Sequence, residues 1–292
     1  MQLFGLLNLN KPTGVTSRRV VDRVGRLVKP AKVGHAGTLD PLATGVLVLG
    51  IGQATRLVEY VQEMSKHYRA TFLLGRTSTT EDIDGEVTLL EDAARPSRDE
   101  LERAAAAMKG EIEQRPPNYS ALKVAGRRAY DLARAGQQVE LAPRRVRIHR
   151  LEIVRYEYPE LCMDVECGRG TYVRSLGRDL AERAGTAAVM SALERTAIGR
   201  FTIAEAVDPD TLTAGNLSDR LLPPVLAVRG LMAEIVVSEA ERQRIAHGLA
   251  IGSRGIEGDR SAALDSDGRL VAILVRRGED ELRPIKNFPG EA

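Results

Sequence analysis

The chain is 292 residues long, 43% hydrophobic and 28% charged, the balance of a globular protein with ample material for a buried core. No run approaches the ~20 apolar residues of a membrane span, and two cysteines, Cys162 and Cys167, are too few for a disulfide framework or a four-thiolate zinc site. The net charge of +2 is unevenly spread: residues 1–35 hold seven Lys/Arg against Asp22 alone, and residues 115–150 hold nine against Asp131 and Glu140. Positive charge concentrated in two places of a nearly neutral chain is the footprint of a phosphate-backbone binder, solvated helix faces being the competing explanation. The opening residues Met1 to Gly5 lack the charged segment and apolar block of a secretory signal, so a cytoplasmic location is expected.

Leu3 to Asn10 reads as a strand ending in the turn Lys11-Pro12-Thr13-Gly14. A helix follows, capped by Ser17, with Val20, Val21, Val24, Leu27 and Val28 on its apolar face and Arg18, Arg19, Arg23 and Arg26 on the other, until Pro30 forbids continuation. Residues 32–45, dense in glycine and polar side chains, predict an irregular loop leading into a buried strand at Val46 to Leu49. Tyr68 to Leu74 predicts another strand, and Ser97 with Glu100 ahead of Leu101 is a capping box opening a helix that Gly110 closes. Val146 to Tyr158 and Leu161 to Glu166 predict a hairpin with Pro159-Glu160 at its tip, and Tyr172 to Arg183 a helix. Strands and helices mix without a regular βαβ rhythm, which favours an α+β fold over a doubly wound one. Around residues 204–224 the pattern loosens, punctuated by Asp208-Pro209 and Pro223-Pro224, and an interdomain connection is expected there. The tail offers a helix capped by Ser238 with Glu241, a hairpin turning at Asp265 to Gly268, and an extended piece near Arg283 to Phe288, together a small β-rich module.

Asp40, set between Leu39 and Pro41, is the leading candidate for a reactive group. The proline holds it extended or in a turn, and Gly34, Gly37 and Gly45 let a substrate approach the backbone. A turn aspartate bonding its own backbone is the alternative reading. Gly168 to Leu176 places flexible backbone before a helix start, where amides, Tyr172 and Arg174 would meet an anion or an everted base; a helix cap with a surface ion pair explains the same residues. Tyr68, flanked by Lys66 and Arg69, would stack on a base or pack in the core. Nucleotide and zinc chemistry find no support. Gly50 to Thr55 carries two of the three glycines of a dinucleotide fingerprint, no Gly-Lys-Ser/Thr phosphate loop occurs, and His35, His67, His149 and His247 are scattered.

Together these segments resemble the bacterial tRNA pseudouridine-55 synthases, the TruB family. The likeness rests on Gly5 to Leu7 with Lys11 to Gly14, on Gly34-His35-Ala36-Gly37-Thr38-Leu39-Asp40-Pro41-Leu42-Ala43-Thr44-Gly45, on Lys66-His67-Tyr68, on Arg115 to Lys123, and on Gly170-Thr171-Tyr172-Val173-Arg174, all in the family's order. It covers residue 3 to about residue 203, and the tail resembles the small RNA-binding PUA modules. The resemblance implies a pseudouridine synthase fold over residues 1–220, a mixed and largely antiparallel central sheet with flanking helices. Residues 112–143 match an insertion that grips the T-loop, and 221–292 a PUA-like domain. It further implies Asp40 as the catalytic aspartate, Tyr68 stacked on the target base, and Arg174 paired with Asp40. His35 would occupy the space vacated in the T-loop, Lys11, Tyr172 and Leu193 would line the pocket, and Lys123, Arg127 and Arg128 would meet the RNA backbone. Two segments depart from the family pattern, Cys167-Gly168-Arg169 and Thr77 to Gly85.

The implied reaction isomerises uridine to pseudouridine at position 55: the glycosidic bond breaks, the uracil turns, and the bond re-forms through C5. There is no net redox change and no group donor, so no cofactor and no metal are expected. The expected partner is tRNA, through its T-arm and T-loop, with no guide RNA and no membrane, and the protein is expected to be a monomer. Two rivals are a guide-RNA-dependent synthase of the related archaeal and eukaryotic type, and a non-catalytic RNA-binding or RNA-folding factor.

Overall fold

The computed structural model describes residues 3–117, 119, 123–124, 127–128, 141–278 and 280–288. The first elements are β1 (Gly5–Lys11), α1 (Ser17–Leu27), β2 (Val33–His35), β3 (Thr44–Ile51), α2 (Val58–Glu63), β4 (Lys66–Leu74), β5 (Arg76–Ser78) and β6 (Val87–Leu89). Then come α3 (Arg98–Ala106), β7 (Gly110–Gln114), β8 (Lys123–Val124), β9 (Arg127–Arg128), β10 (Arg144–Glu157), β11 (Glu160–Cys167), α4 (Val173–Arg183), β12 (Ala188–Ile198) and β13 (Phe201–Thr202). The last are β14 (Ala233–Val236), α5 (Glu239–Ala246), β15 (Ile251–Gly252), β16 (Arg260–Leu264), β17 (Leu270–Arg277) and β18 (Glu281–Asn287). Among the described residues no helix is long and apolar enough to cross a membrane. The chain forms two compact units, residues 1–40, 46–64 and 204–292, and residues 41–45 and 65–203.

In the first unit β1 lies beside β3, and β2 pairs antiparallel with β3, so the loop expected over 32–45 begins with a short strand. The apolar spacing of α1 buries Val20, Val21 and Val24 against Leu7, Leu9, Leu47, Leu49 and Ile51. Its cap is Thr16, whose hydroxyl accepts the Arg19 N–H at 3.2 Å, one residue before the expected Ser17. Thr16 has the extended backbone a cap needs, whereas Ser17 is already helical and turned inward. The stretch 204–224, expected as a connection, is bonded along β1. The Asn10 N–H donates to the Val207 carbonyl at 2.9 Å and the Leu6 N–H to the Leu222 carbonyl at 2.9 Å. Leu212 and Leu217 are buried in the same core, so the segment contributes apolar surface as well as backbone pairing.

Residues 233–287 of that unit build a separate sheet in the order β14-β16-β17-β18-β15 over a core that includes Ile235, Ile245, Ala272, Leu274 and Leu282. The capping box of Ser238 and Glu241 opens α5, and the β16–β17 hairpin turns at Asp265 to Gly268, both as expected. This sheet meets the rest of its unit through Phe288, stacked on Phe4 with centroids 5.5 Å apart, and through Arg56, which donates to the Asn287 carbonyl at 2.7 Å.

The second unit holds β12-β4-β11-β10-β7, every neighbouring pair antiparallel. Thr44 and Gly45, the first residues of β3, join β12 in parallel opposite Glu194 and Arg195. The sheet is therefore mixed and largely antiparallel, as expected. Period-two burial along β11 hides Leu161, Met163, Val165 and Cys167. The capping box of Ser97 and Glu100 opens α3, but Gly110 does not close it: the helix ends at Ala106, and Gly110, with φ +94°, opens β7. Lys123–Val124 pairs antiparallel with Arg127–Arg128. The side chains of Lys123, Arg127 and Arg128, and most of the insertion expected over 112–143, lie outside the described residues.

Candidate active site

In the first unit the motif residues sit on strand ends. Lys11 closes β1 and is fully buried, its ammonium donating to the carbonyls of Pro12 at 2.8 Å and Val15 at 2.7 Å, which fastens the Lys-Pro-Thr-Gly turn. His35 ends β2 opposite Leu49 and is half-buried. The residue before Asp40 is pinned: the Ser17 hydroxyl accepts the Leu39 N–H at 2.8 Å and donates to the Leu39 carbonyl at 3.1 Å. With Leu39 buried and Pro41 exposed, Asp40 is half-buried at the point where the chain leaves the core. That is where a carboxylate is both held and accessible.

In the second unit, the alternation of β4 puts Tyr68, Ala70 and Phe72 on one face, and the register sets Leu193 of β12 opposite Ala70 and Arg195 opposite Tyr68. Tyr68, Leu193 and Arg195 are thus neighbours on one sheet face. The opposite face carries the exposed Arg69 and Ala192. The end of the glycine-rich motif docks on the same strand. The Thr44 hydroxyl donates to the Leu193 carbonyl at 3.4 Å, and a Cβ on Gly45, whose φ is +100°, would lie 2.3 Å from the Arg195 carbonyl oxygen. Only glycine permits that approach.

Helix α4 covers this face. Its Gly177 sits directly on Phe72, so close that a Cβ would fall 1.9 Å from the ring. The start of α4 is held from outside: the Gln114 side-chain amide donates to the Tyr172 carbonyl at 3.1 Å and its oxygen accepts the Tyr172 N–H at 2.8 Å. Arg144 bonds the Gly170 carbonyl and stacks over the Tyr172 ring at 4.5 Å. Arg174 is 5% exposed, which excludes the surface ion pair left open by the sequence. Its guanidinium lies 3.2 Å from the Asp82 carboxylate and donates to the Thr80 carbonyl at 2.7 Å and the Tyr119 carbonyl at 3.0 Å. Asp82 also accepts the Thr80 hydroxyl at 2.5 Å and the Asp84 N–H at 3.2 Å.

Burial governs the ionisation of the groups around α4. It raises the Glu81 carboxyl against the pull of Arg178 and the Ser175 hydroxyl, and it raises Asp179 against Arg178. It pushes the Cys167 thiol up to about 11, so that cysteine packs as a neutral side chain. Among the described residues no group of three or more His, Cys, Asp or Glu side chains is placed to hold a metal ion. Sequence reasoning passed over Ser17 as a holder of Leu39, and over Asp82, Gln114 and Arg178. The one signal available for Asp82 was the density of hydroxyls and carboxylates in Thr77 to Gly85, the segment that departs from the family pattern.

Among solved structures, a chain of an H/ACA ribonucleoprotein bound to a substrate RNA containing 2′-deoxyuridine matches with a TM-score of 0.75 at 22% identity, over 98% of this chain and 86% of that one. A chain of a Cbf5-Nop10-Gar1 complex matches with a TM-score of 0.74 at 24% identity, over 98% and 84%. These likenesses show a shared fold. The chain is 42% identical to the tRNA pseudouridine synthase B of Caulobacter sp. (strain K31), over 98% of this chain and 96% of that protein. It is 43% identical to that of Arthrobacter sp. (strain FB24), over 94% of each. The model of the TruB family pseudouridylate synthase N-terminal domain matches residues 25–173, and the chain belongs to the TruB family.

Proposed function

We propose that this chain isomerises uridine to pseudouridine at position 55 in the T-loop of tRNA, acting on the T-arm directly. The observation that carries the reading is the docking of Thr44 and Gly45, four and five residues after Asp40, on β12 at Leu193 to Arg195, the sheet face that also bears Tyr68. Uridine folded into an RNA loop must leave its stack at a cost of roughly a few kcal/mol. Stacking on Tyr68, worth about 1–3 kcal/mol, offsets part of that. Asp40 supplies the carboxylate that starts glycosidic cleavage; the C1′–N1 bond breaks, a C1′–C5 bond forms, the C5 proton is released and the freed N1 takes up a proton. Arg174, held as a rigid fork by Asp82 and two carbonyls, orients the Asp40 carboxylate. Lys11, Tyr172 and Leu193 line the pocket, His35 fills the space left in the T-loop, and Lys123, Arg127 and Arg128 meet the RNA backbone. In this reading residues 1–220 are the catalytic domain, residues 221–292 a PUA-like RNA-binding domain, and the protein works as a cytoplasmic monomer without guide RNA or cofactor.

The test is an isolated, unmodified T-arm hairpin labelled with tritium at uridine C5, incubated with the purified protein alone. Tritium release is expected, and Asp40→Asn is expected to bind the hairpin and release none. Appreciable turnover by Asp40→Asn overturns the role of that residue. Release only after a guide RNA is added moves the chain to the guide-dependent branch, and hairpin binding without any modification leaves an RNA-binding factor.

A further inference from the structure

Arg174 and Arg178 stand one turn apart on α4, so both guanidiniums leave the same side of the helix. Each bridges the same two segments. Arg174 holds Thr80 and Asp82 of the loop after β5 while its Nη2 donates to the Tyr119 carbonyl at 3.0 Å. Arg178 pairs through Nη1 with the Glu81 carboxylate while its Nη2 donates to the Arg115 carbonyl at 3.0 Å. The Ser175 hydroxyl donates to the other Glu81 oxygen at 2.7 Å, and Glu81 itself has φ +65°, a conformation that few side-chain-bearing residues adopt. Asp179, within 2.6 Å, and Glu182, at 3.9 Å, also face Arg178. With the Gln114 side chain clamped on the Tyr172 backbone, Gln114, Arg115 and Tyr119 are tied to the start and first turns of α4 at three points.

We propose that Arg178 is a positioning residue for the reaction: by gripping Glu81 and the Arg115 carbonyl together, it registers the root of the insertion and the Thr80 to Asp82 loop against α4, so that Arg174 is aimed when the root is seated. This rests on the proposed function, in which the insertion grips RNA and Arg174 serves the target uridine. The chemistry requires a guanidinium. A fork can serve a carboxylate and a carbonyl at once in fixed geometry, whereas an ammonium is a point charge. Removing it also leaves the Glu81 and Asp179 carboxylates without the cation they share.

The experiment compares wild type, Arg178→Lys, Arg178→Gln and the exchange Glu81→Arg with Arg178→Glu on the C5-labelled T-arm hairpin. It reads the single-turnover rate, hairpin Kd, thermal midpoint and amide exchange over residues 112–117. Both single variants are expected to lose about tenfold or more in rate, as small misplacements of reacting groups do, with Kd changed less than threefold and exchange accelerated. The exchange variant restores an ion pair with position 81 but offers no donor to the Arg115 carbonyl and sets a carboxylate beside Asp179 and Glu182, so whatever midpoint it regains should come without recovery of the rate. Wild-type rates in the single variants overturn the inference, as does a defect confined to Kd, or full recovery of rate by the exchange variant. A wild-type protein inactive on the hairpin sinks the proposed function instead, and an active wild type with equally active variants sinks this inference alone.

Discussion

Gly45→Ala is the substitution that most directly tests how the aspartate motif is held. At φ +100° an added Cβ would stand 2.3 Å from the Arg195 carbonyl oxygen and 2.8 Å from the Arg195 nitrogen, both backbone atoms that no rotamer change can move. Ordinary contact begins near 3.4 Å, so the motif and β12 must part by about 1 Å, in addition to a backbone penalty of about 1–3 kcal/mol for the left-handed conformation. A displacement of that size at a reacting group costs about 100-fold in rate, equivalent to about 2.7 kcal/mol of transition-state stabilisation. The assay is single-turnover tritium release at saturating protein beside a binding titration. A rate loss of about two orders of magnitude is expected, with affinity within a few-fold, because the change touches the carboxylate's support rather than the RNA-facing charge. Gly185→Ala is the control: its φ is +76°, nothing lies within 4 Å of its added Cβ, and it follows α4 away from the site. It should lower stability and leave the rate intact. A wild-type rate for Gly45→Ala, or an equal rate loss for Gly185→Ala, refutes the reasoning.

Arg174→Ala strands the Asp82 carboxylate in a buried site, a loss of about 3–5 kcal/mol in stability. Turnover should collapse with modest change in hairpin affinity, and a pure affinity defect counts against the role given to Arg174. Gly177→Ala should reverse the usual gain of up to ~1 kcal/mol for alanine in a helix, because the added Cβ meets Phe72 at 1.9 Å; a net loss of about 1–3 kcal/mol in thermal melts is expected, partly restored by Phe72→Leu. A raised midpoint for the single variant would show that α4 and β4 are less tightly packed than the contact implies. With its thiol near 11, Cys167 stays protonated from pH 7 to 9, while the half-buried Cys162 is reachable. Peptide mapping after alkylation should therefore find Cys162 labelled first and Cys167 only after unfolding; rapid native labelling of Cys167 contradicts this.

What was legible in the sequence divides by how far apart the interacting groups lie. Both capping boxes formed where Ser97 with Glu100 and Ser238 with Glu241 indicated, because capping spans one turn and owes little to the rest of the chain. The cap of α1 fell on Thr16 rather than Ser17, because two adjacent hydroxyls satisfy the local rule equally and the choice is made by Leu39, 22 residues away. The prolines of 204–224 marked a break in regular structure, but nothing local revealed that β1 would bond that segment. The candidate site residues stood out by type: Asp40 in its glycine-rich setting, an aromatic among cations, an arginine after Gly-Thr-Tyr. Their holders did not, since Ser, Gln and Arg are common and their partners remote: Gln114 meets Tyr172 across 58 residues and Arg178 meets Glu81 across 97.

Gly45 and Gly177 carry the point furthest, because each acts through an atom it lacks. One lets the aspartate motif reach β12, and the other lets α4 settle on β4 with Tyr172 and Arg174 at its start. Lifting either contact by about 1 Å would leave every motif residue in place along the chain and still move the side chains proposed to meet the substrate, a displacement expected to cost about as much as deleting a contact to the reacting atoms. Spacing in a sequence specifies which groups are available; the height at which a helix rests on a sheet decides whether they converge.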